Sequence, residues 1–142
     1  MGSEARDAML RPAGFWRRVI AVLVDLGVVW LLLSIGALVA APLGRYELVA
    51  RAFHRAYVLV IPAAYVVLMH GTGGQTLGKV LAGVRVVTVA GEPVGYPRAL
   101  ARYLAWFLSA LPGMLGHLMV AVRRDKRALH DLVAGTRVVR VR

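Results

Sequence analysis

The stretch from Val19 to Leu43, VIAVLVDLGVVWLLLSIGALVAAPL, runs for 25 residues with one formal charge, Asp25. A helix rises about 1.5 Å per residue, so about 20 apolar residues cross the hydrocarbon core of a bilayer. The stretch is long enough to cross even when tilted. Arg17 and Arg18 precede it, and Pro42 and Gly44 mark its end. The LVAAP segment resembles a signal-peptidase site, but the apolar region of a signal peptide is only about 7 to 15 residues long. A longer run that carries an acid predicts a retained span.

Two further uncharged segments follow. The second extends from Ala56 to Gly78, with a 14-residue apolar core, AYVLVIPAAYVVLM. That core is short for a span. His70 and the GTGG stretch can lie in the interface at one end, while Arg51 and Arg55 snorkel at the other. Pro62 is tolerated inside a membrane helix. The third segment, Tyr103 to Val122, has 20 residues with Pro112 and Gly113 in its middle. The chain therefore reads as one α-helical membrane domain over 1–142. It has a cytoplasmic tail over 1–13, transmembrane helices over 15–43 and 56–74, and a hydrophobic segment over 103–122. That last segment is expected to be a Pro/Gly-broken re-entrant or interfacial helical hairpin, with a third span as the alternative.

Composition supports the bilayer over other basic-protein habitats. The chain is 59% hydrophobic with a net charge of +11 and a mean hydropathy of +0.67. Such a charge suits nucleic acid or an anionic membrane surface, and three long uncharged segments choose the membrane. With no cysteine, disulfides, thiolate metal sites and thiol nucleophiles are excluded.

Orientation follows from the Lys and Arg distribution, since cytoplasmic flanks collect both. With the N-terminus inside and two crossings, the outer loop over 44–55 holds Arg45, Arg51 and Arg55 and the other fifteen basic residues stay inside. A third crossing would move the seven basic residues from Arg123 to Arg142 outside. GVRVVTV (83–89) and GTRVVRV (135–141) match at five of seven positions. Both read as short strands, and their pairing would build a small cytoplasmic β element. Both termini are then cytoplasmic in a multi-pass protein of the bacterial inner membrane. The basic cluster RRDKR (123–127) lies against anionic headgroups, at about 1 kcal/mol per basic residue. It lacks the aromatic interleaving of a nucleic-acid binder.

The segment GTGGQTLGKV (71–80) contains GxxxxGK, a phosphate-binding loop short of its last residue. Val80 stands where Ser or Thr would bind magnesium, a membrane helix precedes the loop instead of a buried strand, and nothing resembles a second acidic strand. Nucleotide binding is rejected. The expected use is a helix C-cap, in which glycines permit left-handed backbone, Lys79 suits a helix C-terminus and Gln75 satisfies loop backbone groups. Contact of Gln75 and Lys79 with lipid headgroups or ions is the alternative.

Three stretches together resemble the RDD family of membrane proteins. They are AGFWRRVIAVLVDLGVVW near the start, GGQTLGKVLAGVRVVTVAGEPV in the middle and RRDKRALHDLVAGTRVV at the end. The resemblance implies a multi-pass bacterial membrane protein, with ion-transport roles suggested for some members. It also implies that the Arg and two Asp of the family's name correspond to Arg18, Asp25 and Asp131, with Arg17 a second candidate for the Arg.

Asp25 lies about 10 Å into its span beyond Arg18, at 1.5 Å per residue. An acid there costs about 2.5 to 3.5 kcal/mol and needs a partner or a wet cavity. One reading makes it an ion- or proton-binding carboxylate. The preferred reading is a buried polar clasp of Arg18, Asp25 and Asp131 that ties the first helix to the cytoplasmic loops. His130 beside Asp131 invites a catalytic dyad, but no nucleophile accompanies it, and Asp131 can instead cap the C-terminal elements. His54, His70, His117 and His130 show no metal-ligand spacing, so no metal or other cofactor is expected. The four read as interfacial or hydrogen-bonded. Gly36 with Ala40 permits close packing against the chain itself or a partner.

The functional expectation is a non-enzymatic accessory or scaffold subunit, packed against lipid and against a second copy or another membrane protein. The alternative is an ion- or proton-coupled transporter or antiporter, oligomeric, with Asp25 as carrier.

Overall fold

The computed structural model describes residues 11–110 and 115–141. Helix α1 spans Phe15–Ala40. After a 3-10 turn over Ala41–Arg45, α2 spans Glu47–Gly73 and returns antiparallel to it. Two short elements follow, α3 over Leu77–Leu81 and β1 over Val84–Thr88. Then come α4 over Gly95–Ala110, α5 over Leu115–Val122, α6 over Leu129–Val133 and β2 over Thr136–Arg140.

Among the described residues, α1 and α2 are the helices long and apolar enough to cross a bilayer, with mean hydropathy of 2.5 and 1.6 over their most apolar windows. Their outer faces are unpartnered. Trp30 is 71% exposed and Leu38 76% on α1, and Leu59 is 72% exposed on α2. A core helix of a water-soluble protein would bury such residues, so these faces call for lipid or a partner. The two helices meet where Gly36 lets the Tyr57 ring approach, and the Tyr57 hydroxyl donates to the Leu32 carbonyl at 2.9 Å. The small residue thus packs within the chain. Helix α2 starts nine residues ahead of position 56, which places Arg51 and Arg55 on a helix instead of in a loop.

The two Val-rich segments pair antiparallel, from Val84 opposite Arg140 to Thr88 opposite Thr136. The expected pairing over 83–89 and 135–141 is present. Residues 11–13 add to the far edge of β2, where Ala13 N–H donates to the Val138 carbonyl and Arg140 N–H to the Arg11 carbonyl, both at 2.9 Å. The compact core is therefore not between the long helices. It gathers under the sheet as Ala13, Val84, Val86, Val94, Ala99 and Val138. Pro112 and Gly113, the expected break in the third hydrophobic segment, lie outside the described residues, as do tail residues 1–10. The segment on either side forms two separate helices, α4 and α5.

Candidate functional site

The GQTLGK loop is built around a carboxylate of the chain itself. Gly74, at φ +67°, ends α2 in the left-handed region, which glycine enters without a Cβ penalty. Its carbonyl then accepts from Val86 N–H at 2.7 Å, which fixes the loop to the sheet. Gln75 holds the other side, with its side-chain amide donating to the Val84 carbonyl at 2.8 Å and its oxygen accepting from Arg85 at 3.1 Å. This reversal aims the next four residues back at α1.

Asp25 receives them. One carboxylate oxygen accepts from the Tyr65 hydroxyl at 2.8 Å and from Gly78 N–H at 2.9 Å. The other accepts from the Thr76 hydroxyl at 2.5 Å, and Lys79 Nζ stands 3.8 Å from it. A Cβ on Gly78 would run into the Ala21 carbonyl oxygen of α1, so this approach requires glycine. The loop does cradle an anion with an amide, a hydroxyl and a lysine, as a phosphate loop would, but the anion is Asp25. Lys79 lies in the last turn of α3, not at the end of α2. It points inward, where burial and the charge of Arg102 push its ammonium down to about 8 while Asp25 pushes it back up.

The second cluster centres on Asp131, which is fully buried. Arg18 Nη1 donates to Oδ2 at 2.6 Å, and Arg102 of α4 donates to Oδ1. Arg102 also reaches the Thr136 hydroxyl at 2.8 Å, and Arg18 the Lys126 carbonyl at 2.5 Å. Asp131 further caps α6, accepting from Ala128 N–H at 3.1 Å. Burial pushes its carboxyl up, but Arg102 and Arg18 outweigh that and hold it well below the usual carboxylate range. His130 packs beside it, its backbone N–H donating to the Ser109 hydroxyl at 3.1 Å.

The single clasp of Arg18, Asp25 and Asp131 is thus divided in two. Arg18 turns away from Asp25 toward Asp131, because the cap of α6 and Arg102 assemble there, while Tyr65 of α2 and the GQTLGK loop hold Asp25 with three hydrogen bonds. Arg17 donates to the Ala82 carbonyl at 3.0 Å and joins neither carboxylate cluster through that bond. Arg102 and Tyr65 are the residues that sequence reasoning missed. Arg102 directly precedes the third hydrophobic segment, and nothing adjacent in the sequence marks a partner for it. Its spacing from Ala99, Ala105 and Ser109, the small residues buried with it on one face of α4, was the available signal. His70 is buried at 3% exposure, and the nearest acceptor for its ring is the Val66 carbonyl one turn earlier in α2.

Two long apolar helices, tied at one end by carboxylate clusters to a small sheet and short helices, suggest a helical protein of the membrane. The family model described as the RDD family matches residues 12–135. The chain belongs to the RDD family. It is 33% identical to the uncharacterized protein YxaI of Bacillus subtilis, over 92% of this chain and 99% of that protein. It is 31% identical to the uncharacterized protein YckC of the same organism, over 90% and 84%. It is 30% identical to the uncharacterized membrane protein YteJ, also of Bacillus subtilis, over 89% and 80%. No solved structure matches the chain.

Proposed function

We propose that this chain is a non-enzymatic integral protein of the bacterial cytoplasmic membrane, acting as an accessory or scaffold subunit. The observation that carries the reading is the saturation of Asp25. A carrier carboxylate must exchange its ligands during each cycle, whereas Asp25 is held by donors from α2, the loop and α3. Those donors serve as one joint between a spanning helix and the sheet platform. The competing reading, an oligomeric ion- or proton-coupled transporter, draws on the same Asp25 because its side chain also borders a cavity.

The paired strands support the topology of this reading. Residues 11–13, β1 and β2 belong to one hydrogen-bonded unit, so the chain between β1 and β2 starts and ends on one side. Helices α4 and α5 then form a re-entrant or interfacial hairpin, and the excess of Lys and Arg puts that side in the cytoplasm. The exposed apolar faces of α1 and α2 meet lipid and a second copy or another membrane protein.

Because the chain has no cysteine, single cysteines report topology cleanly. Arg45→Cys, between α1 and α2, is expected to react with a membrane-impermeant maleimide on intact spheroplasts. Glu92→Cys, in the turn after β1, is expected to react only after permeabilisation. Equal labelling of both on intact spheroplasts would contradict the orientation. The scaffold function itself is tested by native electrophoresis of gently solubilised membranes. The wild type should run as a complex larger than one chain, and Asp25→Asn should reduce both that complex and the protein's abundance. A wild type running as a single chain would remove the scaffold reading.

A further inference from the structure

A cavity of about 630 Å³ lies between α1, α2 and α4. Its two ends differ. One holds Arg18, His70, Thr76, Lys79 and Arg102, and the other is lined by Leu26, Val29, Val58, Leu59 and Pro62. Arg18 is near the start of α1 and His70 near the end of the antiparallel α2, so the polar end sits at the level where both helices meet the sheet platform.

At that end Arg18 Nε is buried with no partner among the described residues, and the buried His70 ring has only the Val66 carbonyl of its own helix near it. An arginine Nε carries a donor, and an imidazole carries at least one. Leaving such groups buried and unpaired is costly. The charges are also unbalanced. Arg18, Lys79 and Arg102 face Asp25 in the lining and Asp131 behind it, three cations against two carboxylates. Charges at membrane depth need a counter-charge, so the polar end calls for an anion that accepts hydrogen bonds.

The apolar end sets what the anion is attached to. Val29 lies eleven residues beyond Arg18, about 16 Å along the helix at 1.5 Å per residue. That is close to half of a hydrocarbon core about 30 Å thick, the depth of one leaflet. We propose that this cavity is a binding site for one anionic phospholipid, whose phosphate takes the N–H groups of Arg18 and His70 and whose acyl chain lies along Val29 and Val58. The inference rests on the placement of α1 and α2 in a bilayer and not on the scaffold function.

The test uses the full chain, delipidated in detergent, with phosphatidylglycerol, phosphatidylcholine or inorganic phosphate added. Retained lipid is read by native mass spectrometry and unfolding temperature by tryptophan fluorescence. One phosphatidylglycerol per chain is expected, bound about tenfold more tightly than phosphatidylcholine, as charge-assisted hydrogen bonds at a buried site allow. His70→Leu should weaken phosphatidylglycerol binding about tenfold without lowering the unfolding temperature of the lipid-free protein, since it replaces a buried polar ring by an apolar side chain. Val66→Trp, which fills the cavity wall and leaves Arg18 and His70 in place, should abolish retention. Equal binding of the two lipids, wild-type binding by both variants, or equal stabilisation by inorganic phosphate would each overturn the proposal. None of those results would alter the size of the native complex that tests the scaffold reading.

Discussion

Asp131→Asn is expected to be the most damaging single polar substitution in the chain. It leaves the guanidinium groups of Arg18 and Arg102, both largely buried, facing a neutral amide. Removing one partner of a buried ion pair costs about 3–5 kcal/mol, and here one carboxylate serves two cations and a helix cap. Denaturation in micelles should show a loss of that order, with a fall in membrane abundance. The pH dependence follows from the direction of the shift. A carboxyl held below its unfolded value contributes stability that is fully present above about pH 4 and is lost as pH falls through the folded value. The gap between wild type and Asp131→Asn should therefore be flat from neutral pH to about 5 and narrow below about 4. A variant as stable as the wild type at neutral pH would remove the Asp131 cluster from the account.

Gly78→Ala is the second large effect, and it separates geometry from charge. The added Cβ would meet the Ala21 carbonyl and crowd the Asp25 carboxylate. Helix α1 and the loop must then move apart, and the hydrogen bond from Gly78 N–H to Asp25 is stretched or lost. Overpacking alone costs about 1–3 kcal/mol, and a buried carboxylate losing a donor adds about 1–3 kcal/mol more. Gly73→Ala is the matched control, because a Cβ there meets nothing within 4 Å. It should change stability by no more than about 1 kcal/mol, the difference in helix propensity. Equal unfolding temperatures for the two alanine variants would contradict the tight approach of α3 to α1.

Much of the framework is legible in the residue string because its causes are local. The length of Val19–Leu43 and its lone charge are enough to mark a span. The repeated Val-rich heptads are enough to mark a strand pair, since alternation and flanking glycines are properties of a few adjacent residues. The partners of the charged residues are another matter. Arg18 and Asp25 share a face of one helix, and that spacing placed both in one clasp completed by a third group. What decides the pairing is which side chains arrive from positions 40 to 113 residues away, and no periodicity carries that. Thr76 and Lys79 read as parts of a helix end, because the direction in which the loop turns depends on Gly74 and on where β1 docks. Arg102 was hidden because an apolar run follows it and its carboxylate partner arrives from 29 residues away. An orphaned atom such as Arg18 Nε is invisible until the packing around it is known.

The central claim is that Asp25 is a joint and not a carrier. Proton-coupled cation flux into proteoliposomes, measured with purified wild type and Asp25→Asn at matched protein content, tests it most directly. The account predicts no flux above empty liposomes for either protein, and a lower unfolding temperature for Asp25→Asn as Tyr65, Thr76 and Gly78 lose their shared carboxylate. Robust flux by the wild type that disappears in an Asp25→Asn protein of undiminished stability would contradict it and make Asp25 the transport site.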